Sequence, residues 1–225
     1  MAKITVLGSG GFGISLAMMA DKFGHSVTVW SAFAEEIEQI KKDGEHKKLL
    51  PGVPVSKSIN LITDISGIKD SEIVIFAIPS TFVRKIAQQA APFIKKNAVI
   101  VNTGKGLEDG TFKRLSVVLE EEFPKNPIVI LSGPSHAEEV ALGMATTVVA
   151  ASKQRKYSEY IQTELSNITF RIYINDDIAG CELGGALKNI IALCAGICDG
   201  MGCGDNTKAA LMTRGISEIA RLGVK

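Results

Sequence analysis

The segment Gly8-Ser9-Gly10-Gly11-Phe12-Gly13 has G-x-G-x-x-G spacing and follows the first apolar run, Ile4–Leu7, directly. At a strand-to-helix turn these glycines have separate duties. Gly8 makes the tight bend, Gly10 lets the backbone approach a pyrophosphate, and Gly13 lets helix and strand pack closely. The unpaired N–H groups and the positive dipole end of the helix then face the phosphates. A ligand-free tight turn has the same spacing, but the position after a first strand favours dinucleotide binding. The choice between NAD and NADP turns on the end of the second strand, where an acid would bind the ribose hydroxyls and an Arg the extra phosphate. Trp30-Ser31-Ala32-Phe33 supplies neither. Glu35 and Glu36 read as the start of the next helix, and the missing Arg leans toward NAD.

A second chemistry-bearing stretch runs from Leu183 to Cys198, where Lys188 is the only charged side chain. Gly184 precedes it by one helical turn on the same face, which leaves room for a ligand against the backbone. A desolvated Lys there would have its pKa lowered toward the range useful for proton transfer. The competing reading is a lysine whose stem covers apolar surface while its ammonium stays wet. On the residues alone that reading is somewhat favoured. Asn102-Thr103-Gly104-Lys105-Gly106 follows another strand, and Lys105 would reach a cofactor or an anionic substrate, or be a solvated turn lysine. Ser132-Gly133-Pro134-Ser135-His136-Ala137-Glu138 follows a third. Its Ser135-x-x-Glu138 makes a capping box, so Ser135 is expected to start a helix, and His136 is not assigned catalysis. Cys181, Cys194, Cys198 and Cys203 lie in an apolar helical region without a nearby His, so they read as reduced thiols and no metal site is expected.

These residues need a scaffold, and the apolar pattern specifies one. Short β-branched runs at Ile4–Leu7, Val27–Trp30, Ile73–Phe76, Val99–Val101, Ile128–Leu131 and Thr146–Val149 alternate with helical stretches at Ile14–Phe23, Glu35–Lys42, Phe82–Ile94 and Lys113–Phe123. A weaker strand lies near Ile59–Ile62. Nearly all the runs are continuous, so both faces are covered, as in a parallel sheet under helices. The expected fold is α/β, a Rossmann-like doubly wound, mostly parallel sheet. From Asp177 onward no strand is evident. A dinucleotide-binding domain over residues 1–176 is therefore expected, followed over 177–225 by the first part of an all-α domain.

Composition excludes several alternatives. The 225 residues carry 25 Lys+Arg and 24 Asp+Glu, a formal charge of +1, with 46% hydrophobic residues. That balance argues against disorder and gives no basic footprint for nucleic acid. The longest uncharged stretch, Ile4–Ala20, is broken by glycines and serines, and no charged n-region precedes it. Neither a membrane span nor a signal peptide is read, and the expected location is cytoplasmic.

Together these segments closely resemble the soluble NAD(P)-dependent glycerol-3-phosphate dehydrogenases of bacterial type. The resemblance runs from Ile4 to the chain end through GSGGFG (8–13), VIFAIPS (74–80), NTGKGLE (102–108), LSGPSHAEE (131–139), ELGGALKNIIALCAGICDG (182–200) and NTKAALMTRG (206–215). It implies hydride transfer between NAD or NADP and glycerol 3-phosphate or dihydroxyacetone phosphate, serving glycerophospholipid synthesis. It implies that Lys188 is the proton donor and acceptor, which displaces the snorkelling reading. It puts Gly11, Phe12, Lys105 and Ala137 at the cofactor beside Gly8, Gly10 and Gly13. It puts Lys105, Gly133, Ser135, Lys188 and Asn189 at the phosphorylated substrate. Many family members carry a basic residue near position 32, where this chain has Ala32. The family continues for roughly another hundred residues of helical substrate domain, including an Asp and a Ser-Arg-Asn run that help hold the substrate. The chain therefore reads as C-terminally truncated and is itself expected to be inactive. A homo-oligomer remains open. The competing functions are a hydroxy-acid dehydrogenase of the same architecture and a dinucleotide-binding module without turnover.

Overall fold

The computed structural model describes residues 1–224. Its centre is one eight-stranded sheet made of β1 (Lys3–Leu7), β2 (Ser26–Trp30), β3 (Asn60–Ile62), β4 (Ile73–Phe76), β5 (Val99–Asn102), β6 (Ile128–Ser132), β7 (Thr146–Ala151) and β8 (Phe170–Asn175), in the order β3-β2-β1-β4-β5-β6-β7-β8. All neighbours are parallel except β6 and β7, which pair antiparallel with Ser132 opposite Val149. Strands β1, β4 and β5 are buried on both faces from Ile4, Ile73 and Val99 onward, which is why their sequences do not alternate.

Each face of the sheet has its own apolar layer. On one side Ile4, Val6, Ile73 and Val101 pack under Ile14 and Ala17 of α1 (Gly11–Lys22), Ile40 of α2 (Ala34–Asp43), Val140 of α5 (Ala137–Ala141) and Ile161 of α6 (Arg155–Leu165). On the other, Leu7, Phe76 and Ile100 pack under Val83 and Ile86 of α3 (Val83–Ala90) and Val118 of α4 (Leu115–Glu122). The switch in strand order at β1 and β4 opens the crevice where doubly wound sheets bind ligands, outside the carboxyl ends of the strands.

Beyond β8 the chain continues as α7 (Ile178–Gly200) and α8 (Asp205–Gly223). Asp177 caps α7 by accepting the Gly180 N–H at 2.8 Å. The two helices approach closely at Gly215, where a Cβ would come 2.3 Å from Ile191 Cδ1. Only Glu182 and Gly185 of α7 are buried. Among the described residues α7 is the one helix long and apolar enough to cross a membrane, by length and composition, with a mean hydropathy of 1.4.

Two elements were not anticipated. Helix α6 lies between the strands at Thr146 and Phe170, and β8 forms the sheet edge. There Phe170 and Ile172 face inward while Arg171 and Tyr173 face out. The capping box also fails. The residue before α5 is His136, its side chain makes no capping hydrogen bond, and Ser135 Oγ instead donates to the Gly133 carbonyl at 3.4 Å.

Candidate functional site

The glycine turn between β1 and α1 is shaped by close approach. Gly8 has φ +118°, and a Cβ there would lie 2.4 Å from the Ala77 carbonyl oxygen. One at Gly13 would lie 2.1 Å from the Gly8 oxygen, whereas one at Gly10 would meet nothing within 4 Å. The turn is thus closed on its protein side and open at Gly10. No side chain caps α1, its first turn holds no acid, and its first intrahelical bond is donated by Ile14 to Gly10. The N–H groups of Gly11, Phe12 and Gly13 are left for an anion, the arrangement a pyrophosphate requires. The residues present therefore fit a dinucleotide. Ala137 is brought to the same place: Ser15 Oγ lies 2.7 Å from both the Gly11 and the Ala137 carbonyl oxygens, pinning α5 against the start of α1.

A cleft of roughly 420 Å³ opens at the carboxyl ends of β5 and β6, where α7 crosses the sheet edge. It is lined by Lys105, Ser132, Gly133, Ser135, Gly184 and Lys188, among others. Lys105 is presented by a turn in which Asn102 Oδ1 accepts the Gly104 N–H at 3.2 Å, while Thr103 Oγ1 donates to the Phe76 carbonyl at 2.9 Å. Gly185 lets α7 come this near, since a Cβ there would stand 2.8 Å from Ser132 Oγ. A Cβ at Gly184 would meet nothing within 4 Å, so that face of the helix is open toward the cleft. Lys188 Nζ donates to Asn189 Oδ1 at 2.9 Å. The ammonium of Lys188 and the burial around Lys105 together hold Lys105 below the ordinary lysine pKa, burial being the larger cause. Lys188 itself is exposed, its ammonium wet as the residues alone favoured. Neither lysine has a carboxylate within salt-bridge distance among the described residues.

Two carboxylates escaped the reading of the sequence. Glu182, 7% exposed, accepts from the Ser116 N–H at 2.7 Å, from Ser116 Oγ, and from Arg114 Nη1 at 2.7 Å. It ties the start of α4 to α7, six residues ahead of Lys188. Its signal was available as the acid bounding an otherwise apolar helix. Glu36 does begin α2, as expected, but its side chain turns back. It accepts from Ser9 Oγ of the glycine turn and from Ser31 Oγ at 3.3 Å, and lies 3.2 Å from His46 Nε2. No spacing rule points to that contact.

A doubly wound sheet whose first turn is a glycine cradle, with a two-lysine cleft at its carboxyl edge, is the architecture of the nucleotide-binding α/β folds. Comparison with known proteins makes this specific. Residues 3–158 match the family described as NAD-dependent glycerol-3-phosphate dehydrogenase N-terminus, and residues 177–225 match the corresponding C-terminus. The chain belongs to the NAD-dependent glycerol-3-phosphate dehydrogenase family. It is 49% identical over 223 residues to the glycerol-3-phosphate dehydrogenase [NAD(P)+] of Desulfitobacterium hafniense, covering 99% of this chain and 63% of that protein. It is also 49% identical over 229 residues to that of Bacillus subtilis, covering 100% of this chain and 66% of that protein. The chain thus spans just under two thirds of the length of these relatives. The crystal structure of the Coxiella burnetii glycerol-3-phosphate dehydrogenase superposes with a TM-score of 0.91 at 32% identity, over 98% of this chain and 68% of that one.

Proposed function

We propose that this protein takes part in the reversible reduction of dihydroxyacetone phosphate to sn-glycerol 3-phosphate with NADH or NADPH, a step that feeds glycerophospholipid synthesis. The observation that carries the reading is the placement of two lysines without carboxylate partners in one cleft, at the sheet edge that also holds the dinucleotide cradle. Two ammonium groups so placed suit a small phosphorylated anion. In this reading Gly8, Gly10, Gly11, Phe12, Gly13, Lys105 and Ala137 hold the dinucleotide. Lys105, Gly133, Ser135, Lys188 and Asn189 hold the substrate.

The bound cofactor supplies the hydride. Lys188 gives its proton to the carbonyl oxygen as negative charge develops there, and takes it back in the oxidative direction. Asn189 Oδ1, at 2.9 Å, restrains the Lys188 ammonium, and Lys105 adds positive charge on the facing wall. We place the cofactor unit at 1–176 and the opening of the substrate domain at 177–225, with α7 as its first helix rather than a membrane span. The match of residues 177–225 to the family's C-terminal part supports this choice. A cytoplasmic location accords with four free cysteines, Cys181, Cys194, Cys198 and Cys203.

The test is an assay with dihydroxyacetone phosphate and each reduced cofactor, using a chain extended to the length of its relatives. Oxidation of the cofactor that depends on the triose phosphate is expected. Tight cofactor binding without any oxidation would instead identify a binding module.

A further inference from the structure

We propose that Glu36 is the residue that selects the cofactor, favouring NADH by accepting a ribose hydroxyl and repelling the 2′-phosphate of NADPH. The inference rests on the dinucleotide reading of the glycine turn. In doubly wound nucleotide-binding folds the adenosine ribose lies beside the end of the second strand, next to the glycine turn, and an acid there receives its hydroxyls. Here the strand ends in Trp30-Ser31, which carries no charge. The structure fills the position from elsewhere. Glu36, in the first turn of α2, sends its carboxylate back to lie between Ser9, inside the glycine turn, and Ser31, the first residue after β2.

The carboxylate is held, not loose. Ser9, Ser31 and His46 are 2%, 2% and 5% exposed and approach it from three separate connecting segments. Ser9 and Ser31 bond one oxygen, Oε2, and His46 Nε2 lies 3.2 Å from the other. A carboxylate offers about four lone-pair positions. One therefore remains for a ribose hydroxyl, since the Glu36 side chain keeps 30% of its surface open. A 2′-phosphate at the same place has no proton to give at neutral pH and meets a fixed negative charge in partly buried surroundings. Of the cations that line the hollow beside Glu36, Lys47 is already engaged by Asp43 at 3.0 Å. Lys48 is the other, and it makes the opposite outcome physically meaningful.

The experiment is direct binding of NADH and of NADPH to the 225-residue chain by titration calorimetry, without substrate and across a salt series. At low ionic strength NADPH is expected to bind about tenfold or more weakly than NADH, as one repelled charge pair requires. That ratio should shrink toward unity as salt screens the repulsion. Glu36→Gln should lower the ratio by about tenfold, mainly by tightening NADPH. The salt series on the unaltered chain decides the matter should Glu36→Gln fail to fold. Equal or tighter binding of NADPH, or a ratio that rises with salt, would show Lys48 or another cation holding the 2′-phosphate and would overturn the proposal. So would a ratio unmoved by Glu36→Gln. Binding of neither nucleotide would overturn this assignment and the dinucleotide reading together, whereas binding without discrimination overturns only this one.

Discussion

Burial and, to a smaller extent, the nearby ammonium of Lys188 disfavour the charged form of Lys105. With its pKa below the ordinary lysine range, Lys105 loses its charge at a lower pH than an exposed lysine. In a chain extended to the length of its relatives, affinity for a phosphorylated substrate should therefore fall on the alkaline side as Lys105 deprotonates. The same shift bears on stability. The charged form is the one the fold disfavours, so Lys105 subtracts stability below its folded pKa, and the deficit disappears as pH rises through the ordinary lysine range. Lys188→Met removes the neighbouring positive charge, so it should move the alkaline limb of substrate affinity upward; inhibition constants measured against pH check this. The same substitution should lower turnover by about 10²–10⁴-fold, the usual contribution of a general acid, while leaving NADH binding intact. Near-native turnover in Lys188→Met would remove the assignment. Gly8 and Gly13 were legible because a Cβ at either would collide with backbone oxygen. Glu36 was not, because its meaning lies in a contact between a helix, a strand end and a turn that no local spacing encodes.

At the scale of elements, α7 is anchored to the sheet domain by the Glu182 carboxylate, which satisfies Ser116 and Arg114 together. Glu182→Leu leaves the Ser116 N–H and the Arg114 guanidinium without that acceptor. We expect a loss of about 2–4 kcal/mol, since hydrogen bonds to charged groups are worth roughly 1.5–3 kcal/mol each and relaxation recovers part. Urea unfolding checks it, and a change within about 0.5 kcal/mol would show α7 to be held by its apolar contacts alone. The continuous apolar runs made the buried strands readable. Strand β8 was not readable, because an edge strand alternates and FRIYIN carries an Arg and a Tyr on its outer face. The antiparallel turn between β6 and β7 is likewise invisible in composition, since both strands are apolar whichever way they run. The Ser135 capping box failed for a related reason: the pattern S-x-x-E was present, but α5 starts only at Ala137 and leaves Ser135 outside it.

For the whole molecule, the decisive property is the asymmetry between a closed sheet domain and an open helical pair. Ile190, Leu193 and Ile197 of α7 are 58%, 67% and 52% exposed, and Met212, Ile216 and Leu222 of α8 continue the apolar surface at 45%, 67% and 56%. Such a patch favours association. The 225-residue chain is expected to self-associate with rising concentration, detectable by sedimentation velocity. A strictly monomeric species across the micromolar range would contradict this. It is also expected to turn over dihydroxyacetone phosphate negligibly, because Lys188 stands in solvent and orientation of the reacting carbon supplies much of the rate. Comparison with a chain extended to the length of its relatives checks that expectation, and equal activity would mean that copies complete the site for one another.

The sole tryptophan of the chain, Trp30, is 4% exposed at the end of β2. Its carbonyl accepts the N–H of Gly8 at 2.8 Å, and its indole N–H is held by the Thr63 carbonyl at 2.9 Å. The molecule thus contains a single, immobilised indole coupled by one hydrogen bond to the glycine turn. Indole emission overlaps the absorption of a reduced nicotinamide, so binding of NADH at the glycine turn is expected to quench native fluorescence, with no label to attach and no second indole to subtract.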